Sequence, residues 1–422
     1  MSLEIAGELP TVNPPAFQRP TPGNGSLSTG AREGGSPIPN IAGMKVLVTD
    51  EHYKSSLGIV RHLGRMGVHA SIIACSRDSL ACRSRYCREV ILAQAETLES
   101  LVEAAAQAVK QKHFDLVIPV SYMMTLILAT RRNEFLPYTN LELVGCETIT
   151  LAANKLKMIE LAEKVGVPAP KTFLATEIHK RGNELTFPVV VKPKRESPGR
   201  PPIRYAQNLN EAKNILSGGS TGKHRYDEVE TLIQEFIPGC GFGFFATYQK
   251  GVCKRVFMHR RVREYPASGG VSTCAESFYD RKLELYGRRM LDALNWHGIA
   301  MVEFRQDVRD GEYKLMEINP KFWGSVDLPL AAGADFPGDL CRIALGKELP
   351  FTNDYQRNLR FQWPLSGHGD LFHLWTRPQS FLDVLADFVN PRVKSNVWAG
   401  DFAPNFKELR GLGVQLLRKG RR

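Results

Sequence analysis

Hydrophobic and polar residues alternate most regularly near the end of the third quarter of the chain. Because successive side chains of a strand point to opposite faces, the alternation predicts two strands, Ile299–Asp307 and Glu312–Asn319, joined at Asp310-Gly311. The apolar face of this hairpin carries Val302, Phe304, Met316 and Ile318. The polar face carries Glu303, Arg305, Asp307, Glu317 and Asn319.

The length of the connecting loop decides which polar residues face each other. A two-residue turn with regular pairing puts Glu303 across from Ile318, whereas a three-residue loop, Arg309-Asp310-Gly311, sets Glu303 opposite Glu317. Two facing carboxylates repel each other, and with Asn319 they form an oxygen-only ligand set that suits Mg2+. The pattern therefore indicates a metal site if the loop has an odd number of residues, and a solvated charged face otherwise.

Short buried strands alternate with helices between residues 45 and 120. The strands Lys45–Asp50, Ala70–Cys75 and Leu116–Val120 predict a parallel sheet of Rossmann type. The first strand-to-helix turn lacks GxGxxG and carries Asp50-Glu51, which disfavours a dinucleotide-dependent oxidoreductase. The residues expected to face a ligand, at the carboxyl end of the third strand, are Ser121 and Tyr122.

The chain is long enough for two or three domains at 422 residues. Residues 1–43 contain seven Pro and seven Gly and are expected to be a disordered leader. We predict a Rossmann-like domain over 44–150, an α+β domain over 151–350 and a C-terminal extension with a basic tail over 351–422.

Charge is concentrated near the C-terminus. Residues 391–422 hold eight Lys or Arg against two acids, more than half of the net +11, so no nucleic-acid groove is expected across the body. A helix over Phe406–Leu417 is expected to dock onto the body, and the alternative is a weak contact of the basic tail with anionic membrane.

The remaining composition is that of a cytoplasmic globular protein. The chain is 43% hydrophobic, has no apolar run of membrane-spanning length and shows no secretory signal at its start. Its eight cysteines are scattered without a zinc-binding pattern, so we expect reduced thiols.

The order of several polar residues suggests where chemistry occurs. Lys155 lies in a helix, Lys192 ends a buried strand, Ser197–Pro202 is a Ser/Gly/Pro loop, and Glu235 ends a second strand ahead of the hairpin. Each feature alone is typical of an ordinary surface. Together they suit a nucleotide held between two sheets, with ammonium groups against its phosphates.

In this order of residues the sequence resembles the ATP-grasp superfamily, nearest its carbamoyl-phosphate-synthetase-like, predicted carboxylate–amine ligase branch. The resemblance covers about residues 44–350, and its most specific blocks are Met316–Ser325 and Arg260–Gly270. It implies an α/β (α+β) fold, with a Rossmann-like pre-ATP-grasp domain followed by two α+β subdomains that clasp ATP.

The resemblance also implies roles for individual residues. Lys155 and Lys192 would touch the phosphates or adenine of ATP, and Ser197 would belong to a mobile loop over the phosphates. Mg2+, or Mn2+, would be held by Glu303, Glu317 and Asn319. The adenine hinge would be Glu235, Phe236 and Ile237.

Four cations are the candidate catalytic residues. Arg261 and Arg263 share a face of a regular strand and are better candidates for anion binding than Arg260. Arg305 would stabilise a tetrahedral intermediate or, alternatively, orient Glu303 or Glu317 through a salt bridge. Lys321 stands where the branch commonly has Arg, which keeps the charge but loses the bidentate fork.

The expected reaction is an ATP-dependent ligation. A carboxylate would take the γ-phosphoryl group of ATP, and an amine would capture the acyl phosphate to give an amide, ADP and phosphate. The partners would be small-molecule carboxylates and amines, with a homodimer left open. The alternatives are a phosphoryl-transfer or carboxyphosphate-type enzyme and a non-catalytic ATP-binding module.

Besides Lys321, two further departures from the family pattern accompany these expectations. The phosphate loop is proline-rich with one glycine, and the acid expected to hold the ribose is replaced by Cys240-Gly241-Phe242-Gly243.

Overall fold

The computed structural model describes residues 40–196, 201–218, 226–265, 270–365, 369–371 and 381–419, with side chains up to residue 413. The predicted leader up to residue 39, the Ser197–Arg200 part of the phosphate loop and the side chains of the basic end lie outside the described residues. Residues 41–422 group into one compact unit, and the boundaries predicted at 150 and 350 fall inside it.

The first sheet is parallel and has the strand order β3-β2-β1-β4. Its strands are β1 (Lys45–Val48), β2 (His69–Ala74), β3 (Glu89–Leu92) and β4 (Leu116–Ile118). The alternation of strands and helices was predicted, except for β3, whose residues are only partly buried and give a weak apolar signal. Five helices belong to this region: α1 (Lys54–Arg65), α2 (Leu98–Gln111), α3 (Tyr122–Thr130), α4 (Arg132–Phe135) and α5 (Cys146–Ala152).

The second sheet is antiparallel and has the order β5-β8-β6-β7. Its strands are β5 (Thr172–Leu174), β6 (Val189–Pro193), β7 (Arg204–Ala206) and β8 (Thr231–Glu235). Helices α6 (Lys155–Lys164), α7 (Ile178–Arg181) and α8 (Leu209–Leu216) accompany it.

The third sheet has seven strands in the order β13-β12-β9-β10-β11-β14-β15. They are β9 (Gly239–Gln249), β10 (Val252–Tyr265), β11 (Val271–Ser277), β12 (Gly298–Asp307), β13 (Tyr313–Asn319), β14 (Arg360–Gln362) and β15 (Lys394–Ser395). The helices described in this part are α9 (Arg281–Ala293), α10 (Asp327–Ala331), α11 (Phe336–Ala344), α12 (Phe381–Val389) and α13 (Phe402–Lys419).

The large sheet is buried on both faces, which is why its strands are rich in aromatic and aliphatic residues. One face packs Phe245 and Phe257 against the first sheet's helices and Trp323. The other packs Phe244 and Phe304 against α9 and α6. Strands β14 and β15 join this sheet, so part of the predicted C-terminal extension completes a sheet rather than trailing from the body.

One buried arginine fixes the C-terminal segment to the first sheet's helices. The side chain of Arg61, in α1, is 1% exposed and lies 2.8 Å from Asp401 Oδ2. Its other nitrogens donate to the carbonyls of Asn396 and Asp401 and to Asn405 Oδ1. The first turn of the C-terminal helix α13 therefore docks onto the body, as predicted. No helix in the described part of the chain is long and apolar enough to cross a membrane.

Candidate functional site

The predicted hairpin forms, and Glu303 lies directly opposite Glu317. The loop has four residues rather than three, because Asp307 N–H donates to the Glu312 carbonyl and Gln306 pairs with Tyr313. A β-bulge at Met316 then shifts the register by one, which restores the facing carboxylates. The requirement for an odd loop was wrong. The bulge also gives Leu315 the buried position that was predicted for Met316.

The two carboxylates are each matched by one cation and share one carboxamide. Arg261 Nη2 lies 2.5 Å from Glu303 Oε2, and Lys155 Nζ lies 2.9 Å from Glu317 Oε2. Asn319 Nδ2 donates to Glu303 Oε1 at 3.0 Å and to Glu317 Oε1 at 3.2 Å. The predicted set Glu303, Glu317 and Asn319 is therefore assembled around one point.

The surroundings shift the pKa values of Glu303 and Glu317 in opposite directions. Burial raises the pKa of Glu303 above its usual value, with Arg261 opposing the rise and Glu317 adding to it. Burial acts in the same direction on Glu317, but Lys155 and Lys192 hold the pKa of Glu317 well below its usual value. A divalent cation between the two carboxylates would remove their mutual repulsion and favour the ionised form of both.

Lys155 and Lys192 converge on this point from different elements. Lys155 is the first residue of α6, and its N–H donates to the Lys194 carbonyl next to the end of β6. Lys192 is 7% exposed and lies on β6. Burial, with the neighbouring charge of Lys155, lowers the pKa of Lys192 to about 8, against the opposing effect of Glu317 and Glu303.

The predicted hinge lies between β8 and β9 and is clamped by two arginines. Arg305 Nε donates to the Ile237 carbonyl at 3.0 Å, and its Nη2 donates to the Gly239 carbonyl. Arg309 Nη2 lies 2.6 Å from Glu235 Oε1, while the Phe236 N–H donates to the Pro188 carbonyl at 3.4 Å. Backbone groups of the hinge are thus held in place against the hairpin.

The hinge can approach the hairpin because residue 239 is glycine. Gly239 has a φ of +138°, and a Cβ there would overlap the carbonyl oxygen of Gln306. Arg305 does lie on the polar face of the hairpin, as predicted. Its guanidinium, however, contacts hinge carbonyls rather than Glu303 or Glu317, so the alternative of an orienting salt bridge was wrong, while the role at a tetrahedral intermediate stays a prediction.

Arg261 and Arg263 do not share a face, contrary to the prediction. Bulges in β10 pair Arg261 with Ala275 and Arg263 with Cys274, two consecutive positions of β11, so the two side chains point to opposite faces. Arg261 reaches Glu303, whereas Arg263 Nη2 lies 2.6 Å from Asp370 Oδ2 and its Nη1 lies 2.6 Å from Asp387 Oδ2. The structure therefore places Arg263 in a buried ion-pair cluster away from the acid pair.

Lys321 lies two residues after Asn319 and faces a residue that the sequence did not single out. Lys321 Nζ lies 3.2 Å from Glu196 Oε1, beside the predicted phosphate loop. Ser197 itself lies outside the described residues. Ser121 caps α3, where its hydroxyl accepts from the Met124 N–H, and Tyr122 is 8% exposed, so the predicted contact of these two residues with a ligand stays a prediction.

Sequence reasoning missed three residues that support the site: Glu196, Glu264 and Arg309. Glu264 lies 3.7 Å from Arg261 and accepts from the Gly270 N–H. Each was an ordinary charged residue in the sequence, and only its contact in the folded chain gives it a role. Glu264 alone follows a motif that was noted, the arginine run on β10.

The donor set fits a hard divalent cation. Two carboxylates and one carboxamide supply only oxygen ligands, which is the chemistry that Mg2+ prefers. In the described part of the chain no group of three or more His, Cys, Asp or Glu side chains offers a metal site. All eight cysteines are free thiols, in agreement with the prediction.

Comparison with known proteins gives one relative by sequence, and no family model matches the chain. The chain is 24% identical over 212 residues to D-aspartate ligase from Enterococcus faecium (strain Aus0004). The match covers 46% of this chain and 50% of the ligase, so it spans about half the length of the relative.

Solved structures match over more of the chain. The biotin carboxylase domain of 2-oxoglutarate carboxylase from Hydrogenobacter thermophilus, a dimer with MgADP, ADP and bicarbonate, superposes with a TM-score of 0.60 at 16% identity, covering 75% of this chain and 73% of that one. The ADP complex of PurK, N5-carboxyaminoimidazole ribonucleotide synthetase, superposes with a TM-score of 0.59 at 14% identity, covering 81% and 86%.

These structures define the class to which the fold belongs. The chain has the ATP-grasp fold, and the predicted mixed α/β architecture is confirmed. The resemblance that the sequence indicated through its hairpin and its arginine run is thus confirmed at the level of the fold.

Proposed function

We propose that this protein is an ATP-dependent ligase that joins a small-molecule carboxylate to an amine through an acyl phosphate and releases ADP and phosphate. The observation that supports this most is the pairing of Glu303 with Glu317, with Asn319 between them and Lys155 beside them. Relatives by sequence and by structure include a D-aspartate ligase and ADP-bound enzymes of this fold.

The role that we propose for each residue of the site follows from its charge and its hydrogen-bonding groups. Lys155 and Lys192 neutralise phosphate oxygens, and the hinge Glu235–Ile237 presents backbone groups to the adenine. The side chain of Arg261 is 12% exposed and contacts Glu303. Its positive charge would oppose the negative charge that develops on the transferred phosphoryl group. Glu303, Glu317 and Asn319 would hold Mg2+ or Mn2+, which would neutralise negative charge on the phosphate chain.

A three-way assay tests the proposed function. ADP release that requires both a carboxylate and an amine from pools of organic and amino acids supports the ligase. A phosphorylated product formed without an amine favours a kinase instead, and tight ATP binding without turnover on any pool favours a non-catalytic module.

A second candidate is phosphoryl transfer to bicarbonate, which would form carboxyphosphate. It is favoured by the fold's similarity to a biotin carboxylase domain solved with bicarbonate. ADP release with bicarbonate as the only added acceptor would select this function over the ligase.

ATP affinity is expected to fall as the pH rises past 8, because a charged Lys192 favours the phosphates. The pKa of Lys192 is about 8 in the free protein and rises when phosphate oxygens approach, so the bound state holds its proton at pH values where the free state has lost it. The dissociation constant, measured by calorimetry with saturating Mg2+, should be about tenfold larger at pH 9 than at pH 7.

The matched variants are Lys192→Met and Lys157→Met. Lys157 lies on the exposed side of α6 in an ion pair with Glu160. Lys192→Met should weaken binding at pH 7 and abolish the pH dependence, whereas Lys157→Met should keep both. An unchanged pH dependence in Lys192→Met would contradict the phosphate contact.

Arg305→Lys is expected to weaken ATP binding about tenfold, since the two hydrogen bonds to the hinge carbonyls need the guanidinium fork. Calorimetric titration with ATP measures the loss. The substitution keeps the positive charge, so the turnover number should change little. A large fall in turnover with unchanged ATP affinity would instead support the role in stabilising an intermediate that the sequence suggested.

A further inference from the structure

Exposed apolar side chains are concentrated in the C-terminal segment, over residues 381–409. Nine of the 23 large apolar side chains that are exposed in the described part of the chain lie in this short segment. Four of the five exposed phenylalanines are among them: Phe381, Phe388, Phe402 and Phe406. Single exposed apolar residues are ordinary, whereas a concentration of this kind marks an interaction surface.

Helix α12 presents one continuous apolar stripe to the solvent. In an α-helix, positions i, i+4 and i+7 share a face, and positions i+1 and i+8 widen it. The α12 stripe has this spacing and is between 45% and 74% exposed: Phe381, Leu382, Leu385, Phe388 and Val389. The helix is held from another side, where Val384 is buried and Asp387 pairs with Arg263. The stripe is therefore not needed to hold the helix on the body.

Helix α13 has the same arrangement. Its stripe consists of Phe402, Phe406 and Leu409, which lie at positions i, i+4 and i+7 and are between 46% and 50% exposed. The side that faces the body carries Asn405, which is 0% exposed and accepts from Arg61. Each of the two helices thus has one side on the protein and an apolar stripe in the solvent.

Positive charge accompanies the two stripes. Residues 391–422 carry eight Lys or Arg and two acids. Three of these cations are exposed and form no ion pair with the described residues: Arg392, Lys394 and Arg410. Four more follow in the sequence after the last stripe residue and Arg410, with no acid among them: Arg418, Lys419, Arg421 and Arg422.

The acids of the segment do little to offset this charge. Asp401 is 4% exposed and is neutralised by Arg61. Glu408 is partly buried on the side of α13 that faces the body, where its Oε1 lies out of contact with solvent. On α12 the exposed acid is Asp383. The solvent side of the segment is therefore apolar and positively charged.

This combination favours a membrane that contains anionic lipid. A basic amphipathic helix lies in the membrane interface, with its apolar side chains at the acyl boundary and its Lys and Arg residues among the headgroups. A nucleic acid would match the cations but not the phenylalanines and leucines. A second copy of the chain, related by a two-fold axis, would bring the same positive surface against itself.

We propose that the stripes of α12 and α13, together with the basic residues of 391–422, form a peripheral binding surface for membranes of anionic phospholipid. Strands β14 and β15 precede and separate the two helices at one edge of the seven-stranded sheet, whereas the acid pair lies on β12 and β13 at the other edge. The proposal is independent of the proposed function, since it concerns where the protein binds and not what it catalyses.

Sedimentation with vesicles tests the binding of the full chain. The protein should pellet with phosphatidylcholine vesicles that contain about one third phosphatidylglycerol, and much less with pure phosphatidylcholine, because only the first carries negative charge. Salt at about 0.5 M should release most of the bound protein by screening. Absence of pelleting with the anionic vesicles, or equal pelleting with both compositions, would overturn the proposal.

A variant with one change in each stripe tests the apolar contribution. Leu382→Ser combined with Phe406→Ser should lower the partition coefficient on anionic vesicles about tenfold, because two apolar side chains no longer enter the acyl boundary. The matched control combines Leu92→Ser and Leu136→Ser, which are 50% and 46% exposed outside the segment, and should bind as the parent does. Thermal unfolding should be that of the parent for both. Parent-like binding by the stripe variant would contradict the proposal.

A charge variant and the oligomeric state complete the test. Lys394→Ser combined with Arg410→Ser should also weaken binding to anionic vesicles about tenfold, since each removes an exposed cation near the lipid surface. Unchanged binding by this variant would count against the headgroup contacts. A parent protein that ignores vesicles but sediments as a dimer in analytical ultracentrifugation, and as a monomer with the stripe changes, would assign the stripes to a second copy and overturn the lipid assignment.

Discussion

Glu317→Gln is expected to lose Mg2+-dependent turnover by about 100-fold or more, a loss typical of removing one preorganised electrostatic group from an active site. Glutamine keeps the shape of the side chain but removes the charge that faces Glu303 and pairs with Lys155 at 2.9 Å. The remaining carboxylate and carboxamide would hold the cation weakly. ADP release measured over a Mg2+ titration gives both the turnover number and the apparent metal affinity.

The matched control is Glu312→Gln, on the same hairpin. Glu312 is partly exposed and pairs with Lys282 on the surface, so its loss should leave the Mg2+ dependence unchanged. Thermal unfolding of both variants shows whether either loss of activity is a loss of structure. Near-full activity of folded Glu317→Gln would show that the metal is not held by the hairpin.

Arg263→Met is expected to lower the free energy of unfolding by about 3–5 kcal/mol, as breaking a buried ion pair typically does. The substitution leaves the buried carboxylate of Asp370 without the guanidinium of Arg263, while Asp387 keeps its ion pair with Arg360, at 3.0 Å. Below the unfolding temperature the ATP affinity should stay that of the parent protein. Urea unfolding and calorimetry measure the two quantities.

The comparison that decides the roles of the two arginines is Arg261→Met. Arg261 contacts Glu303, so its loss should lower turnover far more than Arg263→Met does in the folded state. If Arg263→Met instead abolished turnover while stability stayed unchanged, Arg263 would belong to the site after all. The sequence alone had given both residues the same role.

Much of the site could be predicted because it rests on local rules. The alternation from Ile299 to Asn319 identified the hairpin, and periodicity placed Lys155 in a helix and Lys192 at a strand end, although it missed the helix break just before Lys155. The class of the fold followed from the same order of residues.

The predictions of strand register and side-chain facing were wrong where the geometry of one strand depends on its neighbours. The bulge at Met316 brings Glu303 opposite Glu317 although the loop has four residues. The bulges in β10 place Arg261 and Arg263 on opposite faces of the strand. A strand's own residues do not determine such insertions, because they depend on the twist and packing of the neighbouring strands. The partners of Arg305 likewise depended on how closely the hinge approaches β12 at Gly239.

The sequence by itself determined the hairpin, its polar face and the type of fold, since side-chain alternation and turn chemistry act over a few residues. The tertiary structure alone decided that Glu303 faces Glu317, through the bulge at Met316, which cations reach those acids, and that α13 lies over the first sheet. That placement depends on Arg61 meeting Asp401, 340 positions away, and no local pattern encodes a contact over such a distance.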